Sequence, residues 1–177
     1  MKLFLILLFS AIACTACCPL CFGEENSAEP PAELAPGREL ITGGKAECVL
    51  MRDGKVIARE CGRGVSPLLV LFDRSQEQMR GAVIVDKVIG RAAASIAICA
   101  RAAWVHGEVM SDDAAEFLQQ NGVKATCTLQ VPKILNRNRD GLCPLEASVQ
   151  GISDPVKALT ALRAKVAALQ AGTQAGK

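Results

Sequence analysis

An Asp-Gly pair between two short apolar segments is the feature that most constrains how this chain folds. The segments are 48–52 and 55–58, and Asp53-Gly54 joins them. Such a pair forms a two-residue turn whose twist matches that of two antiparallel strands. The fold therefore includes a β-hairpin, and the elements that follow have to pack against the sheet to which this hairpin belongs.

Beyond the hairpin, helical and extended patterns alternate. Ser66-Pro67 predicts a helix that ends near Asp73, and Asp86 is the predicted N-cap of an alanine-rich helix that ends near Ala100. Segments 104–110 and 124–131 are predicted strands, and further helices are predicted after Ser111, from Pro144 and from Asp154-Pro155. This order predicts a three-layer α/β domain, with a mixed sheet that the hairpin opens and that helices flank.

The first 22 residues have the pattern of a targeting segment. Lys2 precedes an apolar run from Leu3 to Ala13, which is too short to span a bilayer as a helix. Ala11-Ile12-Ala13-Cys14 resembles the cleavage site of a lipoprotein signal, so we expect Cys14 to be acylated and to anchor the protein to a membrane. An ordinary cleaved signal peptide is the alternative. Both interpretations place the protein outside the cytosol, in the periplasm or at the cell surface.

The rest of the chain divides by composition. Residues 23–38 are predicted to be a flexible linker, because they are rich in Glu and Pro and have no periodic apolar pattern. Residues 39–170 form the predicted domain, and 171–177 a disordered tail. Four of the nine cysteines crowd near the targeting segment, where a local disulfide or further acylation is expected, and the other five lack metal-ligand spacing.

The composition also excludes some partners. Twenty Lys and Arg residues stand against 18 Asp and Glu residues, so the net charge is only +2. A nucleic-acid surface needs a stronger basic excess, and a base-stacking platform needs aromatic side chains, whereas this chain has one Trp and no Tyr. We therefore expect no nucleic-acid partner, and no residue pattern indicates a cofactor.

Four motifs occur in a characteristic order: Arg52–Ile57, Gly62–Leu69, Asp86–Ala94 and Gly141–Glu146. Together they resemble an uncharacterised bacterial family of domain-of-unknown-function proteins with a cytidine-deaminase-like fold. The resemblance covers residues 39–152 and implies a mixed sheet flanked by helices. It implies no known activity.

The zinc ligands of cytidine deaminases are absent from the matching positions. Those enzymes carry His-x-Glu or Cys-x-Glu at the start of one helix and Pro-Cys-x-x-Cys at the start of the next. Here the two positions are Asp86-Lys87-Val88 and 110–114, and neither contains His or Cys. His106-Gly107-Glu108 has the first spacing, but it lies within a predicted strand, so we interpret His106 as structural. We expect neither a metal site nor zinc-dependent deaminase activity.

Two polar segments are the candidate binding residues. Asp86, Lys87, Gly90 and Arg91 lie at the predicted helix start, where free amides and the helix dipole attract anions. The alternative is that Asp86 caps the helix and Lys87 is solvated. Asn136, Asn138 and Asp140 lie in the polar loop before Pro144 and are the other candidate ligand-binding residues.

Cys143 and Glu146 are the candidate catalytic residues. Cys143 precedes Pro144 and is therefore a predicted N-cap, a position that stabilises a thiolate. Glu146 lies three residues further on, where it can serve as a base or complete a capping pattern. The structural alternative is a buried thiol, with Glu146 holding the loop.

The sequence therefore supports three hypotheses. The first is a zinc-free binding module for a small anionic or nucleotide-like ligand near Lys87, Arg91 and the loop 136–143. The second is a Cys143-dependent enzyme, and the third is a structural or interaction domain at the cell surface. Lys87 and Cys143 are expected to line one cleft, because helix starts that follow strands collect at one edge of such a sheet.

The lipoprotein hypothesis is tested by metabolic labelling with palmitate. We expect the wild-type chain to incorporate the label, and Cys14→Ser to abolish labelling and release the domain from membranes. Labelling that persists in Cys14→Ser moves the anchor to Cys17 or Cys18. An unlabelled wild-type chain supports the ordinary signal peptide instead.

Overall fold

The predicted hairpin forms the first two strands of a sheet. In the computed structural model, which describes residues 32–174, β1 (Cys48–Arg52) and β2 (Lys55–Glu60) pair antiparallel on either side of Asp53-Gly54. The φ angles of Asp53 and Gly54 are 51° and 70°, the positive values that this type of turn requires. The local prediction from the Asp-Gly pair is confirmed.

Three parallel strands complete the sheet: β3 (Val83–Ile89), β4 (Trp104–Ser111) and β5 (Lys124–Val131). The strand order is β2-β1-β3-β4-β5, and β1 is antiparallel to both of its neighbours. The helices are α1 (Ala35–Thr42), α2 (Ser66–Met79), α3 (Arg91–Cys99), α4 (Asp112–Gln120), α5 (Pro144–Val149) and α6 (Pro155–Gln174). The mixed sheet with flanking helices confirms the predicted α/β class.

The sheet separates two apolar cores. The larger core lies between one face of the sheet and α2 to α6, and includes Leu68, Ile96 and Phe117. The smaller core lies under α1 on the other face, where Ile41 and Trp104 are buried. Alternate residues of a strand point to opposite faces, so each inner strand contributes to both cores, and the three layers follow.

The predicted linker extends too far towards the domain. Residues 32–34 form a 3₁₀ turn and α1 begins at Ala35, whereas the linker was expected to end at residue 38. Leu34 is 1% exposed, and Gly37 packs so closely that a Cβ on it would lie 2.4 Å from Sδ of Met51. The apolar residues that hold α1 are too few to form a visible pattern among the Glu and Pro residues around them.

Asp86 is not a helix N-cap, so that prediction is wrong. β3 continues to Ile89 and α3 begins at Arg91. Asp86 pairs with Cys48 of β1 on one side and with Gly107 of β4 on the other. This strand pairing keeps the backbone extended, although Asp is a residue that often caps helices. Lys87 therefore lies on a strand, and it does not share a helix face with Arg91.

Two further boundaries agree with the sequence predictions, and two helices end later than predicted. β5 has the predicted limits, and Ser111 caps α4 by accepting a hydrogen bond from the amide of Ala114. α2 runs beyond Asp73 to Met79, with a non-helical residue at Ser75, and α6 continues to Gln174, past the expected end of the domain at 170.

Several predictions concern residues that the structure does not describe. The targeting segment 1–22, Cys14, the linker up to residue 31 and residues 175–177 lie outside the described range. Within residues 32–174, no helix has both the length and the hydropathy that a membrane crossing needs.

Candidate functional site

Three helix starts lie in the region of the candidate residues, and two of them, those of α3 and α5, follow directly on one. α3 follows Gly90 at the carboxyl end of β3, α4 follows Ser111 at the carboxyl end of β4, and α5 follows Cys143. The carboxyl ends of parallel strands lie at one edge of a sheet, where ligands of open α/β sheets bind. A ligand is therefore expected at the end of the sheet where β3 and β4 end.

Glu146 caps the start of α3 from a different helix. Its Oε2 accepts a hydrogen bond from the amide of Arg91 at 2.7 Å, and its Oε1 accepts one from the amide of Ala92 at 3.1 Å. Burial raises the pKa of the Glu146 carboxyl, and the two amide hydrogen bonds oppose that rise. The amides that the sequence assigned to an anionic ligand are thus bonded to a carboxyl group of the chain itself.

Gly90 leaves the space that Glu146 occupies. A Cβ at this position would lie 2.3 Å from Oε1 and 2.6 Å from Oε2 of Glu146. The backbone of Gly90 is extended, with φ −104° and ψ −178°, a conformation that any residue adopts. The glycine is therefore needed for close approach, and not for its conformational freedom.

Arg91 joins three elements instead of facing an open cleft. Nη1 donates to Oδ1 of Asp113 at 2.6 Å, and Nη2 donates to the carbonyl oxygen of Ile152 at 2.7 Å. The guanidinium carbon lies 3.9 Å from the centre of the Phe117 ring. With two nitrogens bonded and the side chain 11% exposed, Arg91 acts as a structural connection between α3, α4 and the segment before α6.

Lys87 is more accessible than Arg91. Its side chain is 54% exposed, and Nζ lies 3.2 Å from Oε1 of Glu47. An exposed ion pair of this kind is weak, so the ammonium group remains available to a ligand.

Asp86 is a buried carboxyl group on β3, the strand that leads to the start of α3. Its Oδ1 accepts a hydrogen bond from the amide of Val88 at 3.0 Å, and its side chain is hydrogen-bonded to the thiol of Cys48. Burial raises the pKa of Asp86 to about 7. Burial and the neighbouring Asp86 also raise the pKa of Cys48. Asp86 is therefore a group that exchanges a proton near neutral pH.

A cavity of about 100 Å³ brings five of the predicted site residues together. Its lining includes Asp86, Lys87, Gly90, Cys143 and Glu146, so the expected proximity of Lys87 and Cys143 is confirmed. Cys143 also lines an adjoining groove of about 800 Å³, which we call the Cys143 groove. The groove is formed by Arg63, Gly64, Ser66, Val88, the segments 134–138 and 143–145, and Val166, Leu169 and Gln170 of α6.

The polar loop before α5 is held by its own side chains. Nδ2 of Asn136 donates to Oδ1 of Asp140 at 2.6 Å, and an isolated bridge pairs Leu135 with Leu142. Asn136 and Asn138 line the Cys143 groove, whereas Asp140 is not among its lining residues. Cys143 occupies the predicted N-cap position of α5, and its side chain forms no capping hydrogen bond.

His106 lies apart from this site. It is fully buried in β4, as the strand pattern predicted, and its Nδ1 lies 3.0 Å from Oγ1 of Thr126. Nε2 lies 3.8 Å from Oε1 of Glu108, and Glu108 in turn accepts a hydrogen bond from Nε of Arg38 at 2.8 Å. Burial lowers the pKa of His106, which favours a neutral ring.

The helix starts offer no metal ligands of the deaminase type. Because α3 begins at Arg91, the first of the two positions is 90–92 and not 86–88, and it also lacks His and Cys. Across residues 32–174, no three His, Cys, Asp or Glu side chains are grouped so that they could hold a metal ion.

Sequence reasoning missed two features of this region. Arg63 lines the groove with Arg137, although the two are far apart in the chain. The bond from Glu146 to α3 was also missed, since the sequence assigned Glu146 to its own helix. The signals in the sequence are Gly62-Arg63-Gly64 for the first feature and Gly90 for the second, but neither names its partner.

The contact between Gly90 and Glu146 is tested by a double-mutant cycle. Gly90→Ala displaces the carboxylate and Glu146→Ala removes it, so each loses the same charged hydrogen bonds and costs about 2 kcal/mol of unfolding free energy. The double variant is expected to be about as stable as either single variant, because the added methyl group then meets no carboxylate. Gly172→Ala in α6, with nothing near its Cβ, is the control and should not destabilise. Additive losses in urea unfolding would contradict this account.

The buried Asp86 predicts a pH dependence of stability. Its pKa is about 7 in the folded protein and its ordinary value is 3.8, so the folded state holds the proton more tightly. Stability is then lost as pH rises from about 4 to about 7. Asp86→Asn keeps an acceptor for Val88 and has no charge, so it is expected to be more stable than the wild type at pH 8 by on the order of 3 kcal/mol, and similar at pH 4. Denaturant titrations at both pH values measure the difference, and an equal difference at pH 4 and pH 8 would refute the role assigned to Asp86.

Comparisons with known proteins agree with this fold. The family model TM1506, domain of unknown function (DUF1893), matches residues 38–166. A crystal structure of a DUF1893 family protein from Thermotoga maritima has a TM-score of 0.69 and 21% sequence identity, and covers 81% of this chain and 96% of that one. No curated protein sequence matches the chain significantly.

Two further solved structures show a weaker likeness. RibD from Acinetobacter baumannii has a TM-score of 0.41 and 15% identity, over 54% of this chain and 35% of that one. A diaminohydroxyphosphoribosylaminopyrimidine deaminase/5-amino-6-(5-phosphoribosylamino)uracil reductase from Thermotoga maritima has a TM-score of 0.36 and 14% identity, over 57% and 33%. This chain thus spans about a third of each of these two proteins. The family match extends over most of the described residues, and the chain belongs to the DUF1893 family.

Proposed function

We propose that the protein binds a small anionic or nucleotide-like ligand in the Cys143 groove. The observation that carries this proposal is the groove itself, whose volume of about 800 Å³ lies within the range of small-molecule sites. It adjoins the cavity that contains Asp86 and Lys87, so the predicted site residues on β3 border the same region.

The lining of the groove supports a ligand with an apolar part and an acidic part. Val88, Ile134, Leu145 and Val166 supply apolar surface. Two guanidinium groups, from Arg63 and Arg137, and two amide groups, from Asn136 and Asn138, supply hydrogen-bond donors. Within residues 32–174, neither arginine forms an ion pair. Because a guanidinium group binds phosphate or carboxylate with two parallel hydrogen bonds, both arginines suit the acidic part of a ligand.

The acidic part of the ligand is proposed to bind the groove arginines and Lys87, whereas the sequence hypothesis placed it at the start of α3. The amides at the start of α3 are bonded to Glu146, and Arg91 is bonded to Asp113 and Ile152. An incoming anion would have to displace these bonds. Within residues 32–174 the exposed arginines of the groove form no ion pair that an anion would have to displace, and Lys87 has only an exposed ion pair with Glu47, so these three cations are the better anion ligands.

Export is part of the same proposal. A signal over residues 1–22 with an acylated Cys14 would anchor the domain at the outer side of the cytoplasmic membrane or at the cell surface. The ligand would then come from outside the cytosol.

A Cys143-dependent reaction is the second candidate. One observation favours it: the Cys143 side chain lines both the groove and the cavity of Asp86, whose pKa of about 7 suits a proton acceptor. A ligand bound in the groove would lie against this thiol. Binding without reaction remains our first proposal, because His106, the only histidine of the chain, lines neither the groove nor the cavity and so cannot serve as the base partner of the thiol.

Protection of Cys143 from alkylation tests the binding proposal. The purified protein is treated with iodoacetamide, and the labelling rates of Cys143 and Cys61 are measured by mass spectrometry, with AMP or inorganic phosphate present or absent. AMP is expected to slow the labelling of Cys143 several-fold and to leave Cys61 unchanged, because Cys61 is exposed outside the groove.

Arginine variants show whether the groove is responsible. Arg137→Ala removes a groove cation and should abolish the protection, whereas Arg59→Ala, on the exposed side of β2, should retain it. Equal Cys143 labelling with and without both probes would contradict the binding proposal. Turnover or a covalent adduct that is lost in Cys143→Ser, with the fold retained, would favour the second candidate.

A further inference from the structure

We propose that two copies of this chain associate through the outer edge of β5. The strand order places β5 at one end of the sheet, and among residues 32–174 its only strand partner is β4. Its other edge presents backbone N–H and C=O groups along eight residues. A free edge of this length is a template for another strand.

β5 lacks the features that protect edge strands. The segment 125–131 has no charged side chain, no Pro and no Gly, and Thr and Val within it favour strand structure. The opposite edge strand, β2, carries Lys55, Arg59 and Glu60, and its pairing with β1 is irregular at Leu50/Met51. Charges and bulges of this kind prevent edge-to-edge pairing. Only the β2 edge of this sheet is protected.

Charged groups near the two ends of β5 favour a second copy as the partner: Lys124 lies at one end, and Asp112 of α4 lies at the other, where Lys133 also follows the strand. Lys124 begins the strand, and Asp112 lies beside its other end, where its Oδ1 accepts a hydrogen bond from Nε2 of Gln130 at 2.8 Å. Antiparallel pairing about a two-fold axis brings Lys124 of each copy towards Asp112 of the other. The same contact therefore occurs twice.

Pairing would also cover apolar surface. Leu129 is 55% exposed, although its neighbours at alternate positions, Ala125 and Cys127, pack against the larger core. A second β5 laid along the edge would place a side chain of the other copy next to Leu129 on the same face of the extended sheet.

The test compares charges introduced at the two edges. Leu129→Lys adds like charges near the two-fold axis, and Ile57→Lys, at a 42% exposed position on β2, is the matched control. Sedimentation of the full chain over a range of concentrations, with a reducing agent to prevent disulfide-linked species, is expected to show a dimer for the wild type and for Ile57→Lys. Leu129→Lys should shift the protein to the monomer. Circular dichroism verifies that both variants remain folded.

Hydrogen exchange identifies the surface. Every second amide of β5 points away from β4, so these amides should exchange slowly in the dimer and quickly when dilution or Leu129→Lys produces the monomer. A wild-type monomer at all concentrations would overturn the proposal, and so would a dimer that only Ile57→Lys disrupts. Slow exchange of these amides in a monomer would also overturn it.

Discussion

The contact between the Glu146 carboxylate and the first amides of α3 determines how the site is built. It joins α5 to α3, although the two helices are far apart in the chain, and it accounts for the glycine at position 90. It also fixes the position of Cys143, which lies three residues before Glu146 at the start of the same short helix. Glu146 lines both the cavity of Asp86 and a second cavity of about 220 Å³ beside Asp113. The carboxylate therefore forms the boundary between two concave regions.

The same contact changes the chemistry expected at this edge of the sheet. A helix start attracts anions because its amides are unpaired and its dipole is positive there. Here that attraction is satisfied by a side chain of the protein, and the neighbouring Arg91 is satisfied by Asp113. Basic groups that remain accessible lie further along, at Lys87 and around the Cys143 groove.

Local signals in the sequence predicted a large part of the fold, and contacts between distant residues account for the failures. Asp53-Gly54 and Ser111 act through their own neighbours, so the hairpin and the start of α4 were predicted correctly. Asp86 has the same local signal for a cap as Ser111, but it is paired on both sides by strands, which outweighs the signal. The prediction of the site succeeded and failed for the same reason. Cys143 was placed correctly at a helix start, because that signal is local. The partner of Glu146 was not predicted, because it is the backbone of another helix, α3.

If Cys14 anchors the chain, as proposed above, the small core under α1 has a mechanical consequence. Among the elements of residues 32–174, α1 is the helix nearest to that anchor in the sequence, so a pull from that side would act on it before the other helices. That helix is held by a few buried side chains and by the bonds of Arg38 to Glu108 and Thr128. The groove lies against α6, across the sheet from α1, within the layer that contains the larger core. Tension would therefore detach α1 before it distorts the groove, so the domain can yield to force and keep its site intact.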